Sequence, residues 1–81
     1  MTSEMTIELF SRPGCHLCDE ARKVILNAGR RHTFNFVEHD VEENSEWEMK
    51  FGWDIPVVFI DGRKAFKHKV APALLERYFV R

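Results

Sequence analysis

The sequence has few cysteines, no excess of charge of either sign and no long apolar run. It contains two cysteines, four glycines and three prolines in 81 residues, and its 12 basic and 13 acidic side chains give a formal net charge of -1. A chain without a positive excess lacks the field that binding to a nucleic-acid backbone needs. The longest apolar runs, such as residues 57–60, fall far short of the roughly 20 residues that span a bilayer. We therefore expect neither nucleic acid nor a membrane as a partner.

A secretory signal is also missing from the N-terminal residues. The segment Met1–Glu4 has no basic region followed by an apolar stretch, which a signal peptide requires. We expect a reducing, cytoplasmic location, where a cysteine pair usually serves redox chemistry or binds a metal.

Enough apolar side chains are present for one small packed core. Seven phenylalanines and two tryptophans contribute to a hydrophobic fraction of 44%, which argues against a disordered chain. A domain of this size buries only about 60% of the surface that its unfolded chain exposes. We predict a single domain over residues 1–81 with a thin margin of stability.

The two cysteines form a C-x-x-C motif at Cys15 and Cys18. A disulfide that stabilises a small secreted fold normally closes a long loop, because the entropy removed from the unfolded chain grows with loop length. This loop is too short for that role. Three interpretations remain open: a redox pair, half of a metal site, or two core thiols without a chemical role. A zinc site needs four ligands, and the other candidate ligands are isolated in sequence: His32, His39 and His68.

The first half of the chain has the pattern of a β-α-β unit. Residues 5–10 alternate apolar and polar side chains before a Pro-Gly pair, which predicts a strand and a tight loop. From Cys15 to Gly29 apolar residues recur at helical spacing, so we predict an amphipathic helix with both cysteines in its first turn. Residues 33–41 predict a second strand, parallel to the first.

The second half predicts a short helix, a hairpin and a last helix. Asn44 or Ser45 can cap a helix that ends at Gly52. The runs 55–60 and 63–67 are separated by an Asp-Gly pair, which is a strong hairpin signal.

The chain closes with a helix over Ala71–Phe79, with Pro72 in its first turn. The order β-α-β-α-β-β-α predicts an α/β fold, one layered domain with a four-stranded mixed sheet.

This order places the C-x-x-C motif at a strand-to-helix junction, which favours the redox interpretation. The nucleophile in disulfide exchange is a thiolate, whereas a free cysteine with a pKa of about 8.5 is mostly protonated at neutral pH. Cys15 stands at the predicted helix start, where unpaired N–H groups and the helix dipole favour negative charge. Arg12 and His16 add cationic or hydrogen-bonding groups nearby. Cys18 lies one turn deeper, within reach of a mixed disulfide formed at Cys15.

Two motifs together resemble the glutaredoxins: residues 10–18, and Ile55 to Ile60 followed by Asp61-Gly62. The resemblance extends over nearly the whole chain. Within the thioredoxin-fold superfamily, the chain most resembles the small glutaredoxin-like proteins. It implies that Cys15 is the nucleophile, that Cys18 is the resolving cysteine and that Pro56 follows a cis bond and faces them. From composition alone a trans bond would be expected, since only about 5–6% of X–Pro bonds are cis.

The resemblance also implies a substrate site beside the cysteines. The backbone of Ile55 would pair with an extended glutathione or peptide, and Arg12 matches the position of a lysine that binds the glutathione carboxylate. Beyond the Asp-Gly pair, however, residues 63–70 lack the Gly-Gly pair and the acidic helix start of glutaredoxins. Lys67 and Lys69 offer charge for an anionic ligand, but we interpret them as a solvated basic strand end. We therefore expect glutathione to bind more weakly here than in a typical glutaredoxin.

The resemblance implies a dithiol oxidoreductase that reduces protein or glutathione mixed disulfides. We expect a monomer without a metal or prosthetic group, which takes its electrons from glutathione or a flavoprotein reductase. The alternative is a non-enzymatic thioredoxin-fold module that binds a protein partner or a metal through the cysteines. Trp47 and Trp53 flank the approach to Pro56, and we interpret them as anchors of the core rather than borders of a binding groove.

Overall fold

Helices cover both faces of a four-stranded mixed sheet, which confirms the predicted fold class. The structure is a computed structural model and describes residues 4–79. No helix within this range is long and apolar enough to cross a membrane. In chain order the elements are β1 (Thr6–Ser11), α1 (His16–Ala28), β2 (Asn35–Asp40), a 3-10 helix (Val41–Glu43), α2 (Ser45–Phe51), β3 (Val57–Ile60), β4 (Arg63–Lys67) and α3 (Pro72–Glu76).

The strands follow the order β2-β1-β3-β4, so β2 and β4 are the two edges of the sheet. The β1–β2 pair is parallel, with Thr6 opposite Asn35, as the β-α-β pattern predicts. The β1–β3 and β3–β4 pairs are antiparallel. A tight turn joins β3 to β4 at Asp61 and Gly62, whose φ angles of 50° and 82° match the left-handed pair that a two-residue hairpin turn requires.

The larger core lies between the sheet and the α1–α3 layer. Its buried members come from alternate positions of β1 and β3 and from one face of α1, together with residues of α3 and the loop before it: Ile7, Leu9, Ala21, Ile25, Ala28, Val58, Ile60, Val70 and Leu75. The period of two in the strands and the helical spacing in α1 bring these side chains onto facing surfaces. The apolar positions from which α1 is predicted therefore include the α1 residues that lie in this core, Ala21, Ile25 and Ala28.

The last helix is shorter than predicted. It ends at Glu76, and only Leu75 of its residues is buried, whereas Leu74 and Tyr78 are 48% and 43% exposed. After Glu76 the backbone continues in tight turns, with the Tyr78 N–H donating to the Leu75 carbonyl. Such i to i+3 bonds wind the chain more tightly than an α-helix, and beyond Glu76 Tyr78 is exposed whereas Phe79 still packs, partly buried, against the larger core.

A second, aromatic core lies on the opposite face of the sheet, beneath α2. Phe10 is its centre, with ring centroids 4.6 Å from Phe51 and 5.5 Å from both Trp47 and Phe59. The interpretation of Trp47 as a core residue is therefore confirmed. Trp53 follows Gly52 in a turn outside α2 and is 94% exposed, so its interpretation as a core anchor was wrong.

A small ionic cluster ties β1, β2 and α1 together. The Arg22 guanidinium bonds the Glu38 carboxylate and also bonds Asp19, and the Ser11 hydroxyl donates to Glu38 over 2.8 Å. The hydrogen bond from Arg22, followed by that from Ser11, holds the pKa of Glu38 below its ordinary value against partial desolvation. A carboxyl group whose pKa is depressed by folding stabilises the fold above its unfolded pKa and loses that contribution as the pH falls.

We expect Glu38→Gln to lower the free energy of unfolding by about 1 kcal/mol at pH 7. The loss should fade as the pH falls from about 4.3, the unfolded pKa of glutamate, through the lower folded pKa. Below that range the Glu38 carboxyl group is protonated, so it is as uncharged as the glutamine of the variant. Urea unfolding at pH 7 and at pH 3 measures the difference. Glu20→Gln is the control, since Glu20 is exposed on α1 and forms no ion pair with the described residues. A loss that is equal at both pH values would contradict the assignment.

Candidate active site around Cys15 and Cys18

Three chain segments meet at one end of the sheet. The register places Phe10 opposite Val57 and Val57 opposite Lys67, so the end of β1, the start of β3 and the end of β4 lie side by side. The His68 N–H donates to the Pro56 carbonyl over 2.7 Å. The C-x-x-C segment, which follows β1, therefore starts beside the proline loop.

A tight turn carries the chain from β1 to α1. The Cys15 N–H donates to the Arg12 carbonyl over 3.2 Å, and Pro13 and Gly14 occupy the two central positions. The φ of Gly14 is 78°, as position i+2 of a type II turn demands. The turn places Cys15 at the N-cap position of α1.

Cys15 and Cys18 are joined by a disulfide, with 5.2 Å between their Cα atoms. Cys15 is the N-cap residue of α1, and its Sγ accepts a hydrogen bond of 3.1 Å from the Cys18 N–H. Cys15 is partly exposed, whereas Cys18 is completely buried. After reduction this geometry offers one sulfur to solvent, at a helix N-terminus whose N–H groups stabilise a thiolate.

Arg12 is tied to the α2 side of the molecule. Its guanidinium lies 2.9 Å from Glu48 and 3.4 Å from Glu42, and it also donates to the Gly52 carbonyl over 3.3 Å. The hydrogen bond to Glu48 is the main cause that raises the pKa of Arg12 above its ordinary value. A carboxylate ligand at Arg12, which the resemblance implies, would have to displace these two glutamates or share the guanidinium with them.

The Ile55–Pro56 bond is cis, as the resemblance implies. Pro56 is buried, and the Ile55 side chain packs against the aromatic core. The main-chain N–H and carbonyl of Ile55 form no hydrogen bond with residues 4–79. These two groups are therefore open to an extended ligand.

The described residues contain no group of three or more His, Cys, Asp and Glu side chains that is arranged to hold a metal. His32 and His39 bond Glu76 and Glu8, each over a distance of 2.8–2.9 Å. A metal held by the cysteine pair would need its remaining ligands from outside residues 4–79.

Two features of the site escaped prediction from the sequence. His68 has a left-handed φ of 71°, and its N–H also lies 3.2 Å from the Asp54 carbonyl, so that one residue bridges both sides of the proline loop.

The second feature is a cleft of about 410 Å³ between α1 and the loop after β4. Its lining includes Leu17, Glu20, Val24, Lys69, Val70 and Pro72, so it borders the C-x-x-C segment at Leu17. Leu17 was predicted on the apolar face of α1 but is 54% exposed, and it lines this cleft instead of the core.

Comparison with known proteins agrees with this geometry. The model of the glutaredoxin-like domain (DUF836) matches residues 6–79. A glutaredoxin-like protein of Dictyostelium discoideum is 36% identical over 72 residues, which cover 82% of this chain and 67% of that protein.

Solved structures resemble the fold at low sequence identity. A protein of Nitrosomonas europaea superposes with a TM-score of 0.82 at 16% identity, over 96% of this chain and 94% of its own. The oxidised mitochondrial thioredoxin 3 of Saccharomyces cerevisiae gives a TM-score of 0.69 at 18% identity, over 94% of this chain and 76% of its own. At such identities the likeness concerns the fold alone.

Proposed function

The chain belongs to the glutaredoxin-like (DUF836) family, and on that premise we propose that it is a thiol–disulfide oxidoreductase that reduces protein or glutathione mixed disulfides. The observation that carries the proposal is the asymmetry of one disulfide pair. Cys15 is partly exposed and caps α1, whereas Cys18 is buried one turn deeper. A nucleophile must reach its substrate, and a resolving thiol needs to reach only the nucleophile.

The proposed reaction uses the two cysteines and no metal or prosthetic group. The Cys15 thiolate attacks one sulfur of the substrate disulfide, and the other sulfur leaves as a thiolate that takes a proton from water. The Cys18 thiolate then attacks the Cys15 sulfur, forms the internal disulfide and releases the second substrate sulfur. The substrate disulfide gains the two electrons that the cysteine pair loses. The two released thiolates take up protons from water, and the two cysteines give up their protons to water when they form thiolates. Glutathione or a flavoprotein reductase restores the dithiol.

The open main chain of Ile55 supports an extended substrate. Its N–H and carbonyl have no partner among residues 4–79, and they stand just before β3, where they would continue the sheet with an added peptide strand. Strand addition of this kind supplies main-chain hydrogen bonds with little dependence on sequence. A peptide held in this way would lie beside Cys15.

Turnover assays with two electron donors test the proposal. The reduced protein is offered a glutathione mixed disulfide and a disulfide-bonded peptide, with either glutathione and its reductase or a thioredoxin-type flavoprotein reductase as electron source. Turnover that depends on the cysteines supports the proposal, with the double variant Cys15→Ser/Cys18→Ser as control. Stable retention of a metal at the cysteines without any turnover would favour the alternative, a binding module.

The Cys18→Ser variant is expected to trap the substrate. The first attack by Cys15 remains possible, but the step that releases the substrate is lost, so a mixed disulfide at Cys15 should accumulate. Intact-mass spectrometry after incubation with oxidised glutathione or a peptide disulfide measures the adduct, and peptide mapping places it. Absence of an adduct in a variant that remains folded would contradict the order of the two steps.

A further inference from the structure

The charges of the chain are segregated along its length. The segment 38–48, here called the acidic segment, has six carboxylates and no lysine or arginine. The segment 63–69, here called the basic segment, has four lysines and arginines and one histidine and no carboxylate. The net charge is only -1, so the charges nearly cancel over the whole chain, although each of these two segments has an excess of one sign.

The two segments differ in how their charges are used. In the acidic segment, Glu42 and Glu48 pair with Arg12, and Glu38 pairs with Arg22. In the basic segment, Lys67 and Lys69 are exposed and form no ion pair with residues 4–79. The positive charge at the end of β4 is therefore available to a ligand.

Part of this positive charge lines the cleft that borders the C-x-x-C segment at Leu17. His68 bonds the Pro56 carbonyl and lies 3.5 Å from the Asp54 carboxylate, so that His68 has a carboxylate partner within the site. Lys69 has none, and it lines the cleft whose opposite wall carries Leu17, the residue before Cys18. Glu20 is the single carboxylate of that lining. A substrate that is aligned on Ile55 and attacked at Cys15 would have this cleft, with Lys69 on its rim, at its side.

The cleft suits an apolar side chain. Leu17, Val24, Val70 and Pro72 contribute to its walls, and its volume of about 410 Å³ is at the low end of the roughly 300–1,000 Å³ typical of ligand pockets. It has room for one or two side chains of a polypeptide. Glutathione has no apolar side chain and would leave these walls in water.

We propose that the cleft and Lys69 form a docking surface for a polypeptide substrate that carries an apolar side chain and a carboxylate close to its disulfide. The apolar residue fills the cleft, and the carboxylate faces Lys69. This inference rests on the proposed function and names its substrate class. Charge at such a rim acts mainly through encounter and specificity.

Paired peptide disulfides test the charge preference. The two peptides have the same cysteine and the same leucine and differ only in whether glutamate or lysine flanks them. At low ionic strength the protein should reduce the glutamate peptide with a kcat/KM about fivefold higher, and Lys69→Glu should remove or reverse the preference. Arg63→Glu is the matched control, since it makes the same charge change at the far end of β4 and should alter the ratio less than about twofold. In 0.5 M salt the preference should largely disappear.

Two leucines of α1 test the apolar contact. Leu17 and Leu26 are 54% and 52% exposed, so neither substitution by serine threatens the core. Leu17→Ser should lower kcat/KM for the peptides about tenfold, whereas Leu26→Ser should leave it unchanged.

The outcomes separate this inference from the function on which it rests. Equal reduction of both peptides, or equal effects of the Lys69 and Arg63 variants, would overturn the docking surface while leaving the oxidoreductase in place. If Lys69→Glu lowered the activity on oxidised glutathione as much as that on the glutamate peptide, the docking surface would also be overturned, since Lys69 would then serve a small-molecule disulfide. Reduction of no disulfide by the unmodified protein would overturn the proposed function itself.

Discussion

Replacement of Cys15 by serine should abolish disulfide reduction, with a fall in kcat/KM of at least about 10³-fold. A serine hydroxyl is not ionised near neutral pH and forms no disulfide, and the remaining thiol, Cys18, is 0% exposed. The same peptide disulfide and the same electron donor as in the turnover assay measure the loss. Circular dichroism of the reduced variant establishes that the fold is kept, because serine is also a good N-cap residue for α1.

The Cys18→Ser variant is the matched comparison for this loss. It removes one sulfur from the same motif but should still form a covalent adduct, whereas Cys15→Ser should form none. An adduct on Cys18 in the Cys15→Ser protein, with turnover retained, would reverse the two roles. Loss of the adduct in both variants would indicate that reduction requires the intact pair at its first step.

The second large effect concerns stability. Ile25→Ala should lower the free energy of unfolding by about 2–5 kcal/mol, because Ile25 is 0% exposed in the larger core and the deletion leaves a cavity. The total free energy of unfolding of a native protein is only about 5–15 kcal/mol. A loss of 3 kcal/mol corresponds to a fall in Tm of roughly 12–24 °C in a domain of this size.

Leu26→Ala is the control for this prediction, since Leu26 is the next residue of α1 and is 52% exposed. It should cost less than about 0.5 kcal/mol. Urea unfolding of both variants, in the oxidised form, measures the difference at a constant redox state. Equal losses would show that α1 does not present the face assigned to the core.

Much of the fold was predictable because its determinants are local. Alternation predicts β1, helical spacing predicts α1, and the Asp-Gly pair predicts the β3–β4 turn, in which both residues have positive φ angles. The error in α3 has a different origin. The residues Leu74, Leu75, Tyr78 and Phe79 have helical spacing, but whether the last turn stays α-helical depends on contacts with the rest of the fold, which the spacing does not encode.

The site was predictable only where a motif carried it. Cys15, Cys18 and the cis bond at Pro56 follow from two short motifs whose combination resembles a known family. The partners of Arg12 do not, because Glu42 and Glu48 lie 30 and 36 residues away in sequence and no pattern in one sequence couples such positions. The exposure of Trp53 has the same cause, since a tryptophan in a turn has no period from which its direction can be inferred.

The two open edges of the sheet have a consequence for how copies of the protein meet. β4 presents Arg63, Lys64 and Lys67 along one edge, and β2 presents Glu38 and Asp40 along the other. Exposed strand edges are templates for pairing with another chain, and charged side chains oppose it. The basic β4 edge should therefore oppose β4-to-β4 pairing of two copies, whereas Glu38 of the β2 edge is already engaged by Arg22. Added salt should weaken this protection of β4, because it screens the charges.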